Sequence, residues 1–168
     1  MLVFSITHFA VFPGSLAYFK QVTHGQKILD LEPAFDTAAV YQRLDAFGEE
    51  GRKAYLKIMT TIDTIFPLSA FGFLFMFGRL ASEMVKAKIY VRFYWVIPAL
   101  YLFMDFTENL SIATILFNYP TQLAFLSSIL GYISVTKRTS MLISLFLPLI
   151  IILYSAINHR VNKLGRLD

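Results

Sequence analysis

Apolar and polar positions alternate in long blocks along this chain, and the blocks predict an all-α polytopic membrane protein. Four stretches read as spanning helices: about Leu2–Phe19, Tyr55–Leu80, Tyr90–Phe117 and Ser140–Ile157. Two shorter segments read as interfacial helices on the outer side. The first, Ala38–Phe47, has Val40, Tyr41, Leu44 and Phe47 at helical spacing behind an Asp36-Thr37 cap, and Gly48 ends it. The second, Gln122–Thr136, is about 15 residues long, short of the ~20 a crossing needs, and Lys137-Arg138 follow it. Asn118-Tyr119-Pro120 is a turn signal between the third span and this segment. The expected architecture is a four-helix transmembrane bundle in one membrane domain, 1–168.

Charge sets the direction of the spans. The segment from Arg79 to Arg92 carries Arg79, Lys86, Lys88 and Arg92 against Glu83 alone, so it is expected on the cytoplasmic side. Lys20–Lys53, with five Lys/Arg and six Asp/Glu, then falls outside. Arg160, Lys163 and Arg166 anchor the C-terminus inside, and an even number of spans puts the N-terminus there too. Leu2–Phe19 has no positive n-region, although Ser15-Leu16-Ala17 resembles a small-x-small cleavage site; the expectation is a retained span. Ala10 and Gly14 would give it a small-xxx-small packing face.

Composition agrees with this reading. The chain is 57% hydrophobic and 15% charged, against about 25% charged in a soluble domain. No basic tract suggests nucleic acid as a partner, and without cysteine there is no thiolate metal site or redox thiol. The partners expected are membrane lipids and either further copies of the chain or a larger membrane complex, because 168 residues without an internal repeat is small for a stand-alone transporter.

The candidate chemistry lies in ionisable residues inside apolar blocks, where an unpartnered charge costs roughly 2.5–3.5 kcal/mol or more. Asp105, Glu108 and Asn109 share a helical face with Tyr101 and Ile112. Counting ~1.5 Å per residue from the outer ends puts Asp105, Glu108, Asn109, Asp63 and His8 roughly 12–18 Å deep, in one layer. Each span carries a proline: Pro13, Pro67, Pro98 and Pro148. A proline strips the carbonyl four residues earlier of its helical donor, which for Pro67 is the carbonyl of Asp63 and for Pro98 that of Tyr94.

Several functions fit such a layer. It could be the polar site of an accessory subunit or of a hydrophobic-ligand binder, with His8, Asn109, Tyr101 and Tyr94 contacting the ligand. It could be an intramembrane enzyme acting on a lipid or sterol-like molecule, with Asp63, Asp105 and Glu108 as acid/base residues. It could be a proton or ion path, or a hydrogen-bonded cluster that only fixes helix register. A metal site from His8, Asp63, Asp105 and Glu108 lacks the paired-ligand spacing such sites use, and no motif specifies a cofactor.

The run GEEGRKAYLKIMTTIDTIFP (Gly48–Pro67), with MDFTENL (Met104–Leu110) and NYP (Asn118–Pro120), resembles a pattern in uncharacterised small four-span membrane proteins. Its elements here are Gly51, Arg52 and Tyr55, then Asp63, Phe66 and Pro67, then Asp105, Glu108 and Asn109. The resemblance implies the four-span architecture and no activity.

Overall fold

The computed structural model describes residues 11–85 and 92–164, and among these the regular elements are all helical. They are α1 (Leu16–Val22), α2 (Thr37–Ala46), α3 (Gly48–Thr60), α4 (Ile62–Val85), α5 (Val96–Asn118) and α6 (Ala124–Leu164). Three are long and apolar enough to cross a membrane: the α3–α4 rod over Gly48–Met84, α5, and α6 over Ala124–Ile157.

The N-terminal expectation changes. Residues 2–10 of the anticipated first span lie outside the described residues, and its remainder is not one continuous helix. Gly14 sits at φ +104°, a left-handed conformation that an α-helix excludes. Ser15 then caps a new helix, its hydroxyl accepting from the Tyr18 amide at 3.1 Å. The Pro-Gly-Ser sequence is thus a helix start, and α1 packs into a cap rather than continuing a span.

That cap holds the well-packed core. Asp36 caps α2 as anticipated, accepting from the Ala39 amide at 2.8 Å, and Val40, Tyr41, Leu44 and Phe47 are buried. Gly48, at φ +65°, turns the chain directly into α3. α3 is amphipathic: Glu49 and Lys53 pair on its outer face while Ala54, Tyr55, Ile58 and Met59 are buried. Phe19, Phe47 and Tyr55 meet with ring centroids 5.0–6.0 Å apart, and Ile112 of α5 and Leu130 of α6 complete the core. Arg43 tethers the connecting loop by donating to the carbonyls of Lys27 (2.7 Å), Ile28 (3.1 Å) and Glu32.

The expected span Tyr55–Leu80 is divided between two helices. α3 ends at Thr61, whose φ −123° and ψ −81° lie outside the helical region, and α4 resumes at Ile62. The segments 122–136 and 140–157, expected as an interfacial helix and a separate span, form the single helix α6. Ser127, Leu130, Ser134, Ser140 and Ser144 are all buried, so one inward stripe runs unbroken through Lys137-Arg138. α5 starts at Val96, later than expected, which puts Pro98 in its first turn where no helical N–H is needed. The Tyr94 carbonyl therefore precedes the helix, and Pro98 strips no helical bond.

Away from the cap, α4, α5 and α6 bury little and expose much. Phe73 and Met76 of α4, Phe103 of α5, and Phe146, Ile150 and Leu153 of α6 are all at least half exposed. Where the loop crosses α6, Gly131 allows the contact: a Cβ there would lie 2.6 Å from the Ala34 carbonyl oxygen and 2.6 Å from the Phe35 ring. Substitution with alanine is expected to push the loop off α6, costing about 1–3 kcal/mol as overpacked sites do. A fall in the detergent-solubilised thermal midpoint, set beside an unaffected Gly72→Ala control where a Cβ meets nothing within 4 Å, would show it.

Candidate functional site

α5 presents Tyr101, Asp105, Glu108 and Ile112 to the bundle interior, all buried, in the 3–4 residue rhythm of one helix face. Opposite them, α6 presents Ser134 and Lys137. The Lys137 ammonium lies 3.3 Å from Asp105 Oδ1 and donates to Glu108 Oε2, and the Ser134 hydroxyl donates to Glu108 Oε1. Glu108 is 0% exposed, so without this cation its charge would be stranded away from water. Lys137 does not close an interfacial helix; it is the counter-ion of the α5 acids.

The neighbouring residues extend the network. Arg138 donates to the Asp30 carbonyl, tying the cap loop to α6. Tyr55 of α3 donates to Asp30 Oδ1 and accepts from the Leu29 amide, both at 3.2 Å. On the other side, the Asn109 amide donates to the Asp63 carbonyl at 2.8 Å and to Asp105 Oδ2 at 3.2 Å. The Asp63 carbonyl is the acceptor that Pro67 deprives of a helical donor. Asn109 supplies the missing hydrogen bond from another helix and joins α4 to α5.

These groups surround a cavity of ≈ 230 Å³. Asp30, Asp63, Asp105, Asn109, Lys137 and Arg138 give its polar wall. Leu16, Ile28, Ile58, Pro67 and Met141 give an apolar wall, with the partly exposed Leu31 and Phe66 completing it. Tyr101 also lines it. Asp63 Oδ2 is buried and takes no hydrogen bond among the described residues.

Of the residues singled out from the sequence, Asp63, Asp105, Asn109 and Tyr101 therefore meet at one cavity. Glu108 stands behind the wall, enclosed by Ser134 and Lys137. Tyr94 is elsewhere, packed against Gly78 and Phe75 away from the cavity. His8 lies outside the described residues. Among the described residues no group of three or more His, Cys, Asp or Glu is placed to hold a metal ion. Asp30, Tyr55, Lys137 and Arg138 were missed. The signal for Lys137 was the requirement that buried acids have a cation, together with the Ser127–Ser134–Ser144 spacing that carries α6 through it.

Two outcomes follow from this network. Removing only the cation of a buried ion pair costs about 3–5 kcal/mol, so Lys137→Met is expected to lower the thermal midpoint steeply. Adding Asp105→Asn and Glu108→Gln to that variant is expected to restore most of the loss, because the stranded charges then disappear. The second outcome concerns Asp30, which sits in the loop, where burial raises its carboxyl above the ordinary value of 3.8 while Lys137 opposes the rise and Glu108 adds to it. A carboxyl that holds its proton more tightly when folded makes the folded state progressively less favoured as pH climbs from 3.8 through the raised value. Asp30→Asn is expected to remove that part of the slope, measured as thermal midpoint against pH in parallel with the unsubstituted chain.

Comparison with family models, with curated proteins and with solved structures found no match.

Proposed function

We propose that this chain is an integral membrane protein that binds an amphipathic molecule in the cavity beneath its outer cap. The observation carrying the proposal is the divided wall of that cavity, ionic on one side and apolar on the other.

The layer of charges supports a site at one face of the bilayer. On α6 no Asp, Glu, Lys or Arg occurs between Arg138 and Arg160, a run of about 21 residues or ~32 Å of helix. That length matches a hydrocarbon core of about 30 Å. Asp63, Asn109 and Lys137 are linked through shared partners, so they belong to the same level, at the upper rim of that apolar layer. The residue counts from the outer ends suggested a deeper position because α3, the C-terminal turns of α5 and the N-terminal turns of α6 belong to the cap. In this arrangement α4, α5 and α6 cross, the cap faces outward, and the basic C-terminus faces the cytoplasm.

A binder fits better than an acid/base enzyme. Glu108 is sealed from the cavity and Asp105 is held by Lys137 and Asn109, so two of the three candidate acids are engaged in structural contacts. The apolar wall, by contrast, has no structural need to border a void.

Photolabelling tests the reading. Long-chain amphiphiles carrying a diazirine in the chain, with cationic, neutral and anionic heads, are added to the full chain in phosphatidylcholine nanodiscs. Label from at least one head class is expected to concentrate at Leu31, Ile58, Phe66 and Met141, and to fall several-fold in Met141→Trp, which fills the space. Label spread over Phe73, Phe103 and Phe146, with no enrichment at the cavity, would remove the binding function.

A further inference from the structure

The polar wall of the cavity also specifies the chemistry of the head group, an inference that rests on the binding reading above. Its cationic side chains are already engaged: Lys137 by Asp105 and Glu108, and Arg138 by the Asp30 carbonyl. The Asn109 amide is likewise used, through both donor contacts to Asp63 and Asp105. Two carboxyl groups of the wall keep acceptor capacity. Asp63 Oδ2 has no hydrogen bond among the described residues, and the Asp30 carboxyl accepts the neutral Tyr55 hydroxyl on Oδ1 at 3.2 Å.

The charges point the same way. Asp30, Asp63, Asp105 and Glu108 converge on this layer from the loop, α4 and α5, against Lys137 and Arg138 from α6. Lys57 of α3 borders a different hollow, and Glu32 faces Arg43 on the cap surface. The layer thus has more carboxyl groups than cations. An anionic head would be repelled by this excess of carboxyl groups, and would have to compete with them for the N–H groups of Lys137 and Arg138. A hydroxyl brings one donor but no charge. A primary ammonium brings three donors and a positive charge.

We propose that the cavity takes a long-chain amine as its ligand, with the ammonium among the carboxylates of Asp30, Asp63 and Asp105 and the chain leaving past Leu31 and Phe66. At the rim of the apolar layer, this places the head at headgroup level while the chain follows the outward apolar faces of α4 and α6.

Three probes with equal chains discriminate: dodecylamine, dodecanol and dodecanoate, each titrated at neutral pH into the full chain in phosphatidylcholine nanodiscs, with empty nanodiscs subtracted. The amine is expected to bind about tenfold or more tighter than the alcohol, as a charge-assisted contact should, and the carboxylate not above empty discs. Asp63→Asn and, separately, Asp30→Asn are each expected to weaken the amine about tenfold while leaving the alcohol within about twofold. Asp30 lies in the loop outside the spans, so that arm stands even if Asp63→Asn fails to fold. Equal affinity for amine and alcohol, a preference for the carboxylate, or an amine affinity unchanged in the folded variants would overturn the amine assignment while leaving a binding cavity in place. Failure of all three probes to exceed empty discs would overturn the cavity's binding function together with it.

Discussion

The contact on which the rest of the arrangement depends is the ion pairing of Lys137 with Asp105 and Glu108. A carboxylate as deeply buried as Glu108 persists only with a counter-charge and hydrogen bonds in place. Lys137 and Ser134 provide both from the facing helix, and in doing so they fix the axial register of α5 against α6. A shift by one turn, ~5.4 Å, would part the charges. Because Arg138 is the next residue along, the same register presents a guanidinium to the Asp30 carbonyl and draws the cap loop onto α6. Asn109, one residue beyond Glu108, reaches the Asp63 carbonyl and draws in α4. Three helices and a loop are therefore positioned by consecutive residues around one ion cluster.

The cluster also marks the boundary between two kinds of packing. Above it, α1, α2, α3 and the loop bury an aromatic core against α5 and α6, as a soluble domain does. Below it, the helices keep small residues such as Ser140, Ser144 and Ala81 inward and turn Phe, Leu and Ile outward. Hydrophobic burial drives the first packing. In lipid it does not, and close approach with interhelical polar contacts takes over. Strong polar links at the junction are what such a two-part structure needs, since neither part alone holds α4 to α5 and α6 at that level.

Much of this was legible in the residues. The Asp36 cap and the apolar rhythm of Val40, Tyr41 and Leu44 defined α2, because local rules are sufficient for a short capped helix. Pro67 identified the Asp63 carbonyl as needing a donor, and Asn109 supplies it. The shared face of Tyr101, Asp105 and Glu108 followed from helical periodicity alone. What failed depended on tertiary context. Lys137-Arg138 looked like a helix terminus because two adjacent charges usually meet water, and only the acids of another helix turn them inward. Pro13-Gly14-Ser15 looked like part of a span because its apolar neighbours outweighed a turn signal three residues long. Tyr94 was assigned to a polar face because α5 was started too early, and the start of a helix is where periodicity is weakest. Asp30 offered no signal at all: an acid in a polar loop is ordinarily solvated.

The distribution of satisfied and unsatisfied groups divides the cluster in two. If the acids served only to fix register, every one would be expected to resemble Glu108, enclosed and doubly bonded. Asp105 comes close, held by Lys137 and Asn109. Asp63 does not: its backbone carbonyl is provided for, yet among the described residues its carboxyl Oδ2 has no hydrogen bond, beside a void with an apolar far wall. An apolar side chain at that position would fill space and avoid the desolvation cost, which for an unpaired buried polar group is about 1–3 kcal/mol. Retaining a carboxyl there is costly for stability and makes sense when something else completes its hydrogen bonds. Under the proposed binding function, the clamp formed by Glu108, Ser134 and Lys137 is the rigid back of a site whose working face is Asp63 and Asp30. Rigidity behind and unfilled acceptors in front is the arrangement a preorganised binding wall requires.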